Sequence, residues 1–274
     1  MLETGGADRL QGFALPFWIS MTSPAADLVT AAILVIGDEI LSGRTKDKNI
    51  GHIAEYLTAI GVDLREVRVV PDVEEEIVAA LNALRSRYTY VFTTGGIGPT
   101  HDDITADAVA KAFGVSIDHD PRAVAILKER FAKTGTELNE ARLRMARIPT
   151  GADLIANKVS GAPGFRIGNV MVMAGVPSIM QAMLDEVAPS LRTGQKMLSE
   201  TIRADAKEGD VGTELGEVAA RFPGASIGSY PFVDDRAVPN TNIVIRARDA
   251  ETLAAAKAAV EEMLVRVKQA LAAR

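Results

Sequence analysis

The run Ala31-Ala-Ile-Leu-Val-Ile-Gly37 constrains the fold more than any other segment of the chain. An unbroken short apolar run closed by glycine cannot alternate between core and solvent. It reads as a parallel strand buried on both faces. Ile50, Ile53, Ala54, Leu57 and Ile60 then recur at helical spacing before Gly61, which is placed to end a helix. Glu66 to Val70 reads as the next strand, and Asp72 with Glu75 three residues on predicts a capping box for a helix carrying Ile77, Leu81 and Leu84. Tyr88 to Thr93 supplies a third strand, and Thr105 to Phe113 a helix closed by Gly114. Asp120-Pro121 opens a helix through Val124, Leu127 and Phe131, its aspartate capping and its proline fitting the first turn. Asn169 to Met173 is a last apolar strand, followed by a helix marked by Ile179, Met183 and Val187 that ends near Pro189. Strands alternating with helices predict an α/β fold, a mainly parallel sheet with helices on both faces.

Beyond Thr193-Gly194-Gln195, which reads as a linker, the pattern changes. Met197–Ala204, a helix around Leu215 to Phe222, Ser226–Tyr230, Thr241–Ala247 and an alanine-rich helix from Ala250 to Leu271 form a β-α-β-β-α series. At 274 residues the chain exceeds the usual domain size of about 100–150. The expected division is an extension over 1–29, a phosphate- or nucleotide-binding domain over 30–192, and a small C-terminal α+β domain over 195–274. Within the extension, Phe13 to Ile19 is apolar but broken by Pro16 and preceded by Glu3 and Asp8, which makes a poor secretory signal. Met21 is an alternative start, on which reading 1–20 are not native. The rival reading is a genuine segment whose Phe17 and Trp18 dock on a partner.

Thirty Lys+Arg against thirty-six Asp+Glu leave a net charge of -6, which argues against long nucleic acid as a partner. Cysteine is absent, excluding disulfides, thiolate metal sites and thiol nucleophiles, and the cytoplasm is the default compartment. No apolar run approaches the roughly 18–20 residues that span a bilayer, so no membrane partner is expected.

The segment with most chemical content is Thr93-Thr-Gly-Gly-Ile-Gly-Pro-Thr100, which leaves a predicted strand and precedes a predicted helix. Parallel-sheet proteins place ligands beyond strand carboxyl ends, and small residues let backbone N–H groups approach a phosphate closely. Thr94, Gly95, Gly96, Gly98, Pro99, Thr100 and Thr105 are therefore candidate ligand-binding residues. The loop lacks the Gly-Lys-Ser/Thr of a Walker loop, and His101 stands where a dinucleotide fingerprint has its third glycine. Asp102 and Asp103 follow directly, and adjacent carboxylates beside a phosphate loop repel an anion unless a divalent cation lies between them. The competing reading makes Asp103 a helix cap and leaves Asp102 in solvent.

Gly37-Asp38-Glu39-Ile40-Leu41-Ser42-Gly43, with Asp47 and Asn49, follows the first strand in the same way. Asp47 or Asn49 alone reads as a helix cap, and Glu39 alone as a surface charge. Asp72, after the second strand, is a third carboxylate in that layer. Arg142, Arg144 and Arg147 form a basic strip near Lys158, a solvated helix face or a phosphate contact. Asp118-His119-Asp120 is explained by helix initiation and has no second histidine nearby.

Together, the Gly37–Gly43 segment with Asp47 and Asn49, the Gly95–Thr105 segment, Asn157 with Gly161-Ala-Pro-Gly164, and Gly175-Val-Pro177 resemble the competence/damage-inducible protein A (CinA) family. The resemblance spans roughly residues 30–190, and the second domain is similar to that family's middle module through position and element order only. The wider superfamily is the molybdopterin-binding (MoaB/Mog-like) fold, whose Gly-Gly-x-Gly…Arg-Asp-x-Thr pattern matches Gly95, Gly96, Gly98, Asp103 and Thr105. Asp102 stands where those enzymes carry arginine, which suits a pyrophosphate-cleaving site better than adenylyl transfer. Ala174 replaces the usual proline before Gly175-Val-Pro177, and no counterpart of the amidohydrolase domain of longer members is present, so amidase activity is not expected.

The resemblance implies metal-dependent hydrolysis of ADP-ribose, or a similar dinucleotide, to AMP and a sugar phosphate. Asp72, Asp102 and Asp103 are the expected catalytic and metal-holding carboxylates, with Mg, Mn or Co as the divalent cation. Gly37, Asp38, Glu39, Gly43, Asp47, Asn49, Gly164, Gly175 and Pro177 join the glycine loop as ligand-binding residues. The alternatives are a molybdopterin-binding or adenylylating protein, with molybdopterin as ligand, and a non-catalytic nucleotide-binding module. The expected partner is a small phosphate-bearing nucleotide or pterin, and the expected assembly a homo-oligomer, dimer or trimer.

Overall fold

The computed structural model describes residues 28–273, so the expectations for residues 1–20, with Phe17 and Trp18, lie outside the described residues. The chain runs β1 (Thr30–Ile36), α1 (Asp38–Leu41), α2 (Asn49–Ala59), β2 (Asp63–Val70), α3 (Glu74–Arg87), β3 (Tyr90–Thr94) and α4 (Thr105–Phe113). It continues through β4 (Ile117–His119), α5 (Pro121–Thr134), α6 (Glu140–Leu143), β5 (Arg147–Pro149), β6 (Asp153–Ile155), β7 (Gly164–Ile167), β8 (Val170–Met173) and α7 (Pro177–Val187). After these come β9 (Leu198–Arg203), α8 (Glu208–Arg221), β10 (Ala225–Val233), β11 (Pro239–Ala247) and α9 (Ala250–Ala272).

A six-stranded sheet of order β2-β1-β3-β8-β7-β6 organises the first part. The β2-β1, β1-β3 and β3-β8 pairings are parallel, and β8-β7 and β7-β6 are antiparallel. Strand β1 shows why its run is apolar throughout. Ala32, Leu34 and Ile36 pack into one core with Ile77, Leu81 and Leu84 of α3 and Val109 of α4. Ala31, Ile33 and Val35 point to the other face, against Ile53 and Leu57 of α2 and Met180 and Leu184 of α7. A strand with helices on both sides has no face left for polar residues.

The second part has a three-stranded antiparallel sheet, β10-β11-β9, covered by α8 and α9. Its own core includes Val211, Leu215, Ile243, Ile245, Val260 and Met263. It is tied back to the first part by Arg248, whose guanidinium donates to Gln195 O and to Asp63 Oδ2, each at 2.5 Å. Among the described residues no helix is long and apolar enough to cross a membrane.

Two local expectations are corrected. The capping box of α3 does not form: its N-cap is Val73, without a side-chain cap, and the Asp72 carboxylate instead accepts from Asp38 N–H at 2.9 Å. The basic strip is not one helix face either, because a helix turn ends at Leu143 and the chain tightens and then extends into β5. Arg142 consequently lies over the Phe131 ring, Arg144 donates to Asp103 O at 3.4 Å, and Arg147 pairs with Asp107. Asp120 caps α5 as expected, accepting from Arg122 N–H and Ala123 N–H, and Asp47 accepts from Asn49 N–H and Ile50 N–H where α2 begins.

Candidate functional site

The strand order reverses between β1 and β3, since β2 lies to one side of β1 and β3 to the other. At such a point the loops leaving the two carboxyl ends diverge and open a crevice. The loop after β1, the glycine loop after β3 and the Ala174–Val176 turn after β8 meet there. Their backbones touch: Gly95 N–H donates to Met173 O at 3.2 Å, and a Cβ on Gly175 would stand 3.3 Å from Gly95 Cα. Gly95, at φ +102, runs so close to the end of β1 that a Cβ would collide with Ile36 O. Asn49, at the start of α2, completes the join with a 2.8 Å bond from its Nδ2 to Gly175 O.

The glycine loop is held from below by Thr105. Its hydroxyl donates to Gly95 O at 3.0 Å, its amide donates to Gly96 O at 3.0 Å, and the residue is fully buried. Gly96 has φ +66, and a Cβ there would strike Thr105 Oγ1. Asp103 does not cap α4, whose N-cap is Ile104. Its Oδ2 closes the loop by accepting from Thr100 N–H at 2.8 Å and Thr100 Oγ1 at 2.5 Å.

A cleft of about 550 Å³ opens over this loop, a volume suited to a small organic ligand. Its polar rim includes Glu39, Thr45, Asp103 and Asn157, and its apolar walls include Ile97, Met145, Ile179 and Met183. Gly95, Gly96, Gly98, Pro99, Gly175 and Pro177 line it as well. A smaller recess of about 60 Å³ adjoins it, sharing Glu39, Thr45, Gly95, Gly175 and Pro177 and adding Asp47, Asn49 and Thr94. Of the other candidate residues, Gly37 and Asp38 immediately precede Glu39 after the end of β1 and do not line the cleft, and Thr100 is exposed. Gly43 lies in an open turn at φ +71, where a Cβ would meet nothing within 4 Å. Gly164 packs inside the sheet, where a Cβ would collide with Val172 O.

Sequence reasoning passed over Met145, Ile179 and Met183 as cleft walls, because an apolar residue bordering a ligand looks like any core residue. Asn157 had a local signal: its Oδ1 accepts from Val159 N–H and Ser160 N–H, turning the chain toward Gly161.

Burial raises the pKa of the Asp72 carboxyl above the ordinary range, aided by the carboxylates of Asp38, Glu39 and Asp102, while the Asp38 amide pulls it down. Asp102 is exposed, and the nearby Thr100 hydroxyl, with the residue's own amide, holds its carboxyl below that range. The loops after β1 and β2 thus meet through the Asp38–Asp72 hydrogen bond. Among the described residues, however, no three His, Asp or Glu side chains come together closely enough to hold a metal ion. Asp72 is engaged by Asp38 and Asp103 by Thr100, so Asp72, Asp102 and Asp103 do not constitute a ligand set as they stand.

Comparison with known proteins places this geometry. Residues 32–193, more than half of the chain, match the family described as "Probable molybdopterin binding domain", and residues 196–269 match "FAD synthase, middle domain". The chain is 32% identical over 267 residues to a probable FAD synthase of Caenorhabditis briggsae, covering 88% of this chain and 51% of that protein. It is 34% identical over 232 residues to a CinA-like protein of Gemmatimonas aurantiaca, covering 80% of this chain and 54% of that one. It thus spans about half the length of these two relatives. The crystal structure of the protein CinA from Thermoplasma acidophilum superimposes with a TM-score of 0.55 at 34% identity, covering 60% of this chain and 98% of that one.

Proposed function

Because the chain belongs to the CinA-type molybdopterin-binding domain family and carries an FAD-synthase-type middle domain behind it, we propose that its first domain binds and hydrolyses a pyrophosphate-bridged adenine dinucleotide. ADP-ribose is the first substrate to test, and FAD, which carries the same ADP half, is the second in view of the relatives named probable FAD synthase. Water adds at one phosphorus and one bridging P–O bond breaks, so that AMP and a phosphate ester leave.

The observation that carries this reading is the glycine loop at the floor of the cleft, with acidic groups on two neighbouring loops. Backbone of this kind suits a diphosphate, and its small residues leave room for close approach. The carboxylates oppose an anion unless a cation comes with it. Since they do not form a ligand set of three, the divalent cation, Mg, Mn or Co, is taken as part of a metal–diphosphate substrate. Asp103, which borders the cleft and is engaged by Thr100 through Oδ2 alone, is placed to meet that substrate's positive charge, with the exposed Asp102 next to it in sequence.

The family description also favours a second reading, binding of a pterin phosphate such as molybdopterin, whose flat ring suits the apolar walls as well as adenine does. Calorimetric titration of ADP-ribose, FAD, ATP and a pterin phosphate, followed by product analysis with each metal, separates the two. AMP release supports the pyrophosphatase, pterin binding alone supports the second reading, and nucleotide binding without turnover supports a non-catalytic module. A dimer or trimer is part of the proposal and is read from the mass in solution.

A further inference from the structure

Asn49 is 4% exposed, and its side chain is only half satisfied. Nδ2 donates to Gly175 O, which fixes the amide's orientation, because the opposite orientation would set two oxygens against each other. Oδ1 is buried and accepts no hydrogen bond from any described residue. An acceptor left in that state carries an uncompensated desolvation cost, so one at a binding cleft is a place where a ligand donor is gained at little expense. Asn49 lines the small recess beside the cleft, and Glu39 lines both spaces. The Glu39 carboxylate folds back over Gly37, its Oε2 2.6 Å from the position of a Gly37 Cβ, and no described residue donates to it.

Both groups are acceptors. A phosphate is itself an array of acceptors and satisfies neither. Adenine offers only its amino group as a donor, and a cation is disfavoured because Lys46 and Lys48 line the same recess and Asp47 Oδ1 already accepts from the amides of Asn49 and Ile50. A sugar has two neighbouring hydroxyl donors.

We propose that Asn49 and Glu39 form a ribose subsite, in which Asn49 Oδ1 and the Glu39 carboxylate accept from the vicinal hydroxyls of a ribose whose phosphate lies on the Gly95–Pro99 loop. The inference rests on the nucleotide reading above. It fixes the ligand's direction across the cleft: phosphates toward the glycine loop, sugar toward the start of α2, base or second half along the apolar walls. It also makes the site selective for ribose over deoxyribose. A site built to hydrogen-bond a hydroxyl discriminates strongly against the analogue lacking it, because its own groups are then left unpaired.

The test is equilibrium binding to the full chain, with Ca²⁺ to prevent turnover, of ADP-ribose and of four analogues that each lack the 2- or 3-hydroxyl of one of its two riboses. At least one analogue is expected to bind tenfold or more weakly than ADP-ribose to the wild type. Asn49→Ala or Glu39→Ala is expected to bring that ratio to within about twofold. Asn49→Ala also removes the bond to Gly175, and a purely structural effect would weaken all five ligands equally and leave the ratio unchanged. Glu39→Ala breaks no bond within the protein and gives a second, independent reading. Equal binding of all five ligands to the wild type, or a ratio that survives both substitutions, overturns the ribose subsite. Failure of ADP-ribose itself to bind the wild type removes the nucleotide reading on which it stands.

Discussion

Replacing Gly96 by alanine tests whether the glycine loop is as tightly determined as its contacts indicate. Two costs add. Gly96 sits at φ +66, where a residue with a Cβ loses about 1–2 kcal/mol relative to right-handed backbone. The new methyl also collides with Thr105 Oγ1, and Thr105 cannot swing away, since it is fully buried and its hydroxyl is bonded to Gly95 O. Overpacking of this kind costs about 1–3 kcal/mol. The expected destabilisation is therefore about 2–5 kcal/mol, a large share of the roughly 5–15 kcal/mol available to a folded protein. Urea unfolding measures it. Thr105→Ala removes the colliding oxygen, so in a double-mutant cycle Gly96→Ala with Thr105→Ala should be less destabilised than the sum of the single changes by more than about 1 kcal/mol. Gly43→Ala, at φ +71 but facing open space, serves as the control and should cost only about 1 kcal/mol. A Gly96→Ala protein within about 0.5 kcal/mol of wild type, or an additive cycle, would refute the account of the loop. The collision is with the protein itself, so weak ligand binding by this variant would not by itself prove phosphate contact.

Asp72 has its carboxyl pKa raised on folding, so the folded state holds the proton more tightly than the unfolded one. Stability should fall as pH rises from the ordinary value of about 4 through the raised one, and stay lower above it. Asp72→Asn can still accept from Asp38 N–H. It should match or exceed wild-type stability at neutral pH and lose that advantage below about pH 4, as followed by thermal unfolding across pH; a loss at neutral pH contradicts this. Asp103→Asn retains an acceptor for Thr100, so its melting temperature should stay near wild type while metal-dependent AMP release falls at least tenfold. Unchanged release would remove Asp103 from the chemistry. Arg248→Ala breaks the partly buried contacts to Asp63 and Gln195, and should cost about 1–2 kcal/mol and speed proteolysis around residues 192–197. Wild-type cleavage there would show that the two parts are held by other contacts.

The main strands were legible because parallel strands buried on both sides carry unbroken apolar runs, as in Ala31–Ile36 and Val170–Met173. The order of elements in the second part was legible from alternation and helical spacing. The short strands β4 to β7 were not: Ile117–His119 and Arg147–Pro149 are too brief for any period to show, and they exist because partners distant in sequence pair with them. The glycine loop could be located from its glycines, but the reason for Gly96 could not. Thr105, read as a ligand-binding candidate, is the buried group that occupies the space a side chain on Gly96 would need. Asp72 looked like a cap from its spacing to Glu75, whereas its hydrogen bond runs to the loop after β1. No local pattern encodes a contact of that range.

The place of β3 in the sheet has a kinetic consequence. Strands β1 and β2 join through the short stretch that holds α1 and α2, but β3 meets its other neighbour only when Val91 pairs with Val170. Closing a contact of that separation costs chain entropy before it returns any burial, and such pairings slow folding. The Gly95–Thr105 loop can fold back on itself early, because Thr105 and Asp103 anchor it locally. The turn at Gly175 arrives with β8, and until then the Asn49 amide has no carbonyl to hold. Refolding followed by two reporters, one on the β1–β2 region and one on ligand capture, should therefore show the second lagging the first.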